Sequence, residues 1–380
     1  MTGFTPLMVT QRWLREVSAN RRTTVTAGVG LRLPHEEGEI YTGSLDLILT
    51  HYKSPFSLGK PFFDMLALQR NIDFNDVGVV LINDGEESRL PDELFAEYPF
   101  RVDNITIPHG GVSRARNAGI DASKADWVMI CDFDDQICST LGLQLLFSAI
   151  QEDDKDMYWS HFLEEVVTDD GATKLLPHER DVIFIHGKMF RRQWLVDNNI
   201  RFCDGLTLHE DVFFNTIAQA VVTEDRIGEI KTGFYLWCNN PNSVGRSYKA
   251  FVFETYDHLM KQRNEIIKEY YRRDMKPQVK IAVCKTVVDA FYDFQTAYWH
   301  GREQKKQFEK NERWFCTFLK RYGKEYAESD VRAIAKLAEG SRDFHFKTGA
   351  FLMETNTIGN WLKHIMNDVK PYDLSVLDVT

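Results

Sequence analysis

The chain has 380 residues, 43% hydrophobic and 27% charged, the balance of an ordinary globular protein, with enough length for one large domain and an appendage. Six scattered cysteines without a CxxC pair point to small core residues rather than a disulfide framework or a zinc site, and no apolar run approaches the roughly 20 residues that span a bilayer. The net charge of −10 is uneven: residues 247–380 carry 23 Lys and Arg against 19 Asp and Glu, leaving 23 against 37 in residues 1–246. Two modules are expected from that asymmetry. With no signal-peptide segment after the first basic residues, the expected setting is the reducing cytoplasm.

In chain order, residues 1–44 read as an extension, with a short helix over Gln11–Arg22. "GVG" at residues 28–30 lacks the third glycine of a dinucleotide fingerprint. From Leu45 a pattern repeats. "LDLILTHY" (45–52), "VGVVLINDG" (77–85), "RVDNITIPH" (101–109) and "DWVMICDFDD" (126–135) are apolar runs that end in polar residues. Helical stretches separate them at Pro61–Asn71, Pro91–Tyr98 and Val112–Ser123. This alternation predicts βαβ units and a mostly parallel sheet. Ligands of such sheets bind beyond the carboxyl ends of the strands. Thr50, Tyr52, Asn83, Asp84, Asp132, Asp134 and Asp135 are therefore candidates for one crevice.

"DVIFIHGKMFRRQWLVDNNIRF" (181–202) reads as a strand, a turn and a helix. "LHEDVFFNTIAQAV" places His209, Glu210 and Asp211 at the start of an amphipathic helix, and "KTGFYLWCNNPNSVGR" is a strand running into a loop. From Lys249 the apolar period becomes helical: Phe253, Tyr256, Met260, Ile267, Tyr270 and Tyr271, then Ile281, Cys284, Val288, Phe291 and Tyr298. Further helices are expected over Arg302–Lys324 and Asp330–Glu339. The domain boundaries follow as 1–44, 45–246 and 247–380.

Clustered carboxylates at a strand end fit a hard cation such as Mn2+ or Mg2+, which needs oxygen ligands and can bring a diphosphate into the same shell. Taken alone, "DFDD" fits equally a solvated acidic turn or acidic residues at a helix start. Glu210 and Asp211 are suited to general-base work on an acceptor hydroxyl, and equally to a helix first turn. Arg116 could grip a phosphate with two donors, or pair on the surface with Asp121 or Glu86. His186 and His209 are candidates for diphosphate or acceptor contacts. So are Ser243 and Arg246, on a loop that could also be a plain turn. The aromatic and basic stretch 302–324 reads either as an acceptor-binding face or as an amphipathic helix with buried aromatics.

The order of these segments resembles the family 2 glycosyltransferases. "LILTHYKSP" is similar to the family's first strand, "VVLINDGEE" to its Val-Asp-Asp-Gly-Ser strand end, and "GVSRARNAGIDASKADWVMICDFDD" to its Gly-x-Ser-x-Ala-Arg-Asn-x-Gly helix and Asp-x-Asp-Asp motif. "HGKMFRRQWLVDNNIRF", "LHEDVFF" and "GFYLWCNNPNSVGR" are similar to three later motifs. Asn83 and Glu86 stand where the family carries Asp and Ser. The resemblance spans about residues 45–246. It implies the GT-A fold with a C-terminal helical appendage, and an inverting, metal-dependent transfer from a nucleotide-diphosphate sugar, a UDP-sugar foremost. Thr50, Tyr52, Asp84, Arg116 and Asp132 would hold the donor nucleotide. Asp134 and Asp135 would hold Mn2+ or Mg2+. Asp211 would be the base, with Glu210 beside it. The acceptor would be a polysaccharide, a teichoic-acid-like polymer, another glycan or a modified DNA base.

Two rivals are a nucleotidyltransferase and a non-catalytic protein that keeps the fold. The first calls for a Gly-rich, basic phosphate loop near the first strand, which "THYKSPF" is not. The second would dispense with the Asp cluster or Glu210-Asp211, and both are present.

Overall fold

A computed structural model describes residues 43–168, 170–243, 255–300, 305–325 and 356–371. The chain divides at 243/244 into two compact units. The expected helices at 11–22 and 330–339, and Phe253 and Arg246, lie outside the described residues.

The first unit is built on β1 (Leu45–His51), β2 (Val77–Asp84), β3 (Arg101–Ile107), β4 (Trp127–Asp132), β5 (Gln136–Ile137), β6 (Met157–Val167), β7 (Thr173–His178), β8 (Lys188–Arg191) and β9 (Ile227–Trp237). Its helices are α1 (Phe56–Ala67), α2 (Val112–Ala122), α3 (Gly142–Glu152), α4 (Arg192–Asp197) and α5 (Glu210–Val221). The sheet order is β3-β2-β1-β4-β8-β6-β9-β5, with β7 paired to β6. The four strands from β3 to β4 are parallel. Beyond β4 the sheet is mixed: β8 runs antiparallel to both β4 and β6, and β9 runs parallel to β6.

The parallel strands read as continuous apolar runs because both faces are covered. Alternate residues sort between the faces. Leu45, Leu47 and Leu49 of β1, Val79 and Leu81 of β2, and Met129 and Cys131 of β4 pack with Phe62, Phe63 and Leu66 of α1 and Leu143, Leu146 and Phe147 of α3. Ile48, Val80, Ile82, Val128 and Ile130 face the other way, against Ala115 and Ile120 of α2 and Phe214 and Ala218 of α5. Gly119 in α2 permits that close approach, since a Cβ there would lie 2.2 Å from Ile48 Cγ2.

Some boundaries differ from expectation. α1 begins at Phe56, five residues before the proline that was taken to start it, and carries Pro61 inside. Pro91–Tyr98 holds only a 3-10 turn at Asp92–Phe95. The long β6–β7 hairpin and α3 carried no expectation. β7 is exposed along nearly its whole length, so its residues do not alternate between core and solvent.

The second unit contains α6 (Tyr256–Arg272), α7 (Lys276–His300), α8 (Lys305–Tyr322) and α9 (Asn356–Asp368). The apolar stripe read from sequence is buried at Tyr256, Met260, Ile267, Tyr270, Cys284, Val288 and Phe291, whereas Tyr271 is exposed. On α8, Trp314, Phe315, Phe318 and Tyr322 are buried while Arg313, Lys320 and Arg321 face solvent. Phe315 stacks on Trp361 of α9 at 5.0 Å. These aromatics are core, as the amphipathic reading of this stretch has it.

Candidate active site

The parallel strands end at one edge, which gathers their last residues. Thr50 pairs in register with both Ile82 and Asp132, so Asp84, Tyr52 and Asp132 sit on three neighbouring strands. β4 then turns: the Asp135 amide donates to the Asp132 carbonyl, 3.2 Å, and fixes where each carboxylate of "DFDD" points.

The three carboxylates have different surroundings. Asp135 is buried, and its Oδ2 accepts from the Tyr235 hydroxyl at 2.6 Å and its Oδ1 from the Cys238 amide at 2.9 Å. The Tyr235 oxygen also accepts from the Asp132 amide at 3.1 Å, so one phenol holds both ends of the turn. Asp134 is half-buried and accepts from Asn240 Nδ2 at 2.7 Å, on the loop after β9. Asp132 accepts from Arg116 Nη2 at 2.7 Å.

Arg116 is buried and spends its other terminal nitrogen on Glu210 Oε1 at 2.8 Å. It therefore bridges the end of β4 to the start of α5; neither Asp121 nor Glu86 is its partner. Asn117 beside it exchanges two 2.9 Å hydrogen bonds with the Phe202 backbone, and Ser113 donates to the Leu206 carbonyl. The Ser-x-x-Arg-Asn face of α2 thus clamps the segment leading to Glu210 and Asp211. His209, just before α5, adopts φ 62, a left-handed conformation that is uncommon for a residue with a Cβ and clusters at functional sites.

The charges follow from this packing. Burial disfavours the charged form, but Arg116 holds Asp132 below the usual carboxylate range. Burial and the neighbouring Asp132 push Asp135 well above it. Burial and the adjacent Glu210 raise Asp211 to about 8. A half-buried carboxyl tuned close to neutral pH is suited to take a proton.

His186 is where the sequence reading was least specific. It is buried and packed among Phe162, Tyr235 and Trp237, with ring centroids 5.1–5.3 Å away. Burial lowers it to about 4, so the imidazole is neutral at pH 7. Its Nδ1 has no hydrogen-bond partner and lies 3.5 Å from Asp135 Oδ2. Ligand atoms of Asp132, Asp135 and His186 all fall within 4.8 Å of one another. A neutral, unpartnered imidazole nitrogen beside two carboxylates fits a divalent cation. Among the described residues this is the group of His, Cys, Asp and Glu that could hold a metal. Asp134, expected beside Asp135 as a ligand, is not in it.

The turn before β8 brings His186 there. The β4–β8 register matches Trp127 with Arg191 and Met129 with Met189, and His186 lies in the turn that leads into β8. The intervening Gly187 has φ 67, and a Cβ on it would lie 2.6 Å from Ser160 Oγ. The spacing of 54 residues hides this neighbour. The signal that could have found it is the "HG" preceding a short apolar strand.

At the other end of the edge, Asp84 accepts from the Gly110 and Gly111 amides at 2.7 and 2.9 Å and faces His109 Nδ1 at 2.9 Å. Tyr52 stacks on His109 at 4.6 Å. The backbone of Ser243 donates to the Asn240 carbonyl in a turn.

Comparison with known proteins agrees with this arrangement. The family described as "Glycosyl transferase family 2" matches residues 61–207. The chain carries a family 2 glycosyltransferase domain. Two relatives from Bacillus subtilis (strain 168) share it: the "Uncharacterized glycosyltransferase EpsJ", 27% identical over 56% of this chain and 67% of its own length, and the "Putative glycosyltransferase EpsH", 24% identical over 54% and 66%. The crystal structure of S. aureus TarS 1–349 superposes with a TM-score of 0.55 at 15% identity, covering 82% of this chain and 93% of that one. A second TarS structure, in complex with UDP-GlcNAc, gives 0.54 at 14%. At such identity the likeness shows the fold of the glycosyltransferase domain, which is the expected GT-A α/β architecture. No helix among the described residues is long and apolar enough to cross a membrane.

Proposed function

We propose that the chain is an inverting, divalent-metal-dependent glycosyltransferase that moves a sugar from a nucleotide-diphosphate donor, a UDP-sugar, to an acceptor hydroxyl on a glycan, polymer or nucleic acid. The observation that carries this is the Arg116 bridge. It ties Asp132, one of three residues able to hold a cation, to Glu210, the neighbour of the raised-pKa carboxyl Asp211. A donor-binding end and a proton-accepting end are thereby fixed relative to each other.

In this reading residues 45–246 are the catalytic domain and 247–380 a helical appendage. Asp132, Asp135 and His186 hold Mn2+ or Mg2+, with Asp134 directed to the Asn240 loop. Imidazole among the ligands favours Mn2+. The bound ion would supply positive charge against the diphosphate as the sugar leaves. Arg116 keeps Asp132 ionised for that purpose, and Thr50 and Tyr52 border the nucleoside. Asp211 accepts the proton of the attacking hydroxyl, and Glu210 orients the acceptor while locked to Arg116. His209 precedes Glu210 at the start of α5, and Ser243 follows Asn240 on the loop after β9, so both are candidates for diphosphate or acceptor contacts. Six free cysteines fit work in the reducing cytoplasm, where nucleotide sugars are made.

The test is Asp211→Asn assayed against a panel of UDP-sugars with Mn2+. Transfer should fall by at least a thousandfold while UDP binding stays within a few-fold of the parent. Near-normal turnover sinks the assignment of the base. Release of pyrophosphate in place of nucleoside diphosphate would identify a nucleotidyltransferase instead. Chelation should abolish activity, with Mn2+ restoring it.

A further inference from the structure

Two residues expected at the nucleobase are already engaged. Asp84 has two backbone amides and an imidazole nitrogen on its two oxygens, all within 2.9 Å. A carboxylate that is satisfied in this way has little left for a base edge. Tyr52 is covered by the His109 ring, nearly parallel at 17°, and Lys53 Nζ lies 5.0 Å from its centroid. Lys53 is itself held by Glu87 at 3.3 Å.

These contacts form a built device. Gly111 at φ 87 lets two successive amides converge on Asp84, a turn that a residue with a Cβ would strain to make. The same carboxylate fixes the rotation of the His109 ring through Nδ1. His109 is thereby held as a flat shelf on Tyr52 while its side chain remains 52% exposed. An imidazole presented to solvent at fixed orientation gains nothing for the core.

Position gives the shelf its use. β2, β1 and β4 are adjacent, so the end of β2 lies two inter-strand spacings, roughly 10 Å, from the end of β4. That is about the reach of a nucleoside from its base to its first phosphate. A diphosphate near Asp132 and Asp135 would set its base over the Tyr52–His109 pair.

We propose that His109 is the stacking platform for the donor's nucleobase, with Tyr52 as its backing and Asp84 as the clamp that orients it. The inference rests on the nucleotide-sugar reading above and gives a base-binding role to a residue outside the expected donor contacts. Stacking reads the π face, so His109 contributes affinity, and polar neighbours must choose the base.

The test measures UDP binding to the full chain by calorimetry in Mn2+, comparing the parent with His109→Ala and His109→Phe. His109→Ala should weaken UDP roughly 5- to 150-fold, the range for loss of one aromatic stack, and His109→Phe should stay within about threefold of the parent. Both variants should keep the parent's melting temperature and Mn2+ affinity, which separates the effect from misfolding. Unchanged UDP affinity in His109→Ala overturns the platform. Tighter binding overturns it too, because His109 would then be a plug over Tyr52. If the parent binds neither UDP nor any other nucleotide, the nucleotide-sugar reading and this inference fall together. If the parent binds UDP and only the alanine variant's predicted loss is missing, this inference alone falls.

Discussion

The two ends of the crevice are built in opposite ways. At the β4 end, Asp132, Asp135, Arg116 and Tyr235 are largely buried and joined by hydrogen bonds and ion pairs, with the buried His186 ring packed beside them. At the β2 end, Tyr52 and His109 are about half exposed and rest on a single carboxylate. The buried end fixes geometry, at the cost of charges that cannot survive separately. The exposed end can be varied, because its side chains hold little of the core. A glycosyltransferase that keeps its chemistry while changing its nucleotide would need this division.

The division can be broken most severely at Arg116. Arg116→Met leaves Asp132 and Glu210 as partly buried carboxylates without their buried counter-ion. Losing one partner of a buried pair costs about 3–5 kcal/mol, so urea unfolding should show a drop of that order along with lost transfer. Retained stability would mean that the bridge is ornamental. Arg116→Lys should recover part of the stability, since one ammonium cannot span both carboxylates as a guanidinium fork does.

A smaller effect is expected beneath the β2 end, at Asn83. The family carries Asp here, yet the buried Asn83 uses both halves of its amide. Its Oδ1 accepts from the Leu90 amide, and its Nδ2 donates to Asn104 Oδ1 and the Ile105 carbonyl. A carboxylate cannot donate to those two oxygens. Asn83→Asp should destabilise by about 1–3 kcal/mol in denaturant unfolding, the cost of stranding buried polar groups. An unchanged midpoint would show that the departure from the family pattern carries no structural reason.

Tyr235→Phe probes the turn alone. It removes the hydroxyl that accepts from the Asp132 amide and donates to Asp135. Stability should fall by about 1–3 kcal/mol and Mn2+ affinity should weaken, read by calorimetry without any turnover. If Mn2+ affinity is unmoved, the turn does not depend on the phenol.

The smallest expected effect lies in the hairpin behind the site. His178 bonds Glu164 at 2.9 Å and stacks on Phe162 at 4.4 Å. Burial lowers its pKa, but Asp181 and Glu164 outweigh this and raise it to about 9 from 6.5. A folded-state value above the unfolded one means that the stabilisation is complete below about pH 6.5 and is lost as pH rises through 9. His178→Gln should therefore narrow the gap between the unfolding midpoints at pH 6 and pH 9.5. An unaltered gap would show that the ion pair contributes nothing.

Legibility in the sequence followed the same line of division. The parallel strands announce themselves because burial on both faces leaves uninterrupted apolar runs, and each run ends in the polar groups that meet at the edge. Asp132, Asp135, Glu210 and Asp211 were readable as candidates from type and position. Arg116 was readable as important, but its two partners lie 16 and 94 residues away and no local pattern names them. His186 reaches the site from the turn before β8, where no hydrophobic period marks a position. The exposed β7 has no core side to betray it. Pro61 misled because proline is common at helix starts, and here α1 carries it inside.

The antiparallel return of β8 against β4 has one more consequence. Asp132 ends β4 and His186 lies just before β8, so the chain between them forms an excursion out and back. The β6–β7 hairpin, paired from Phe162 with His178 to Val167 with Thr173, lies within that excursion. Descendants of this sequence could change the length of that hairpin without changing the β4–β8 pairing, so the spacing between the motifs could drift while their strands stayed paired.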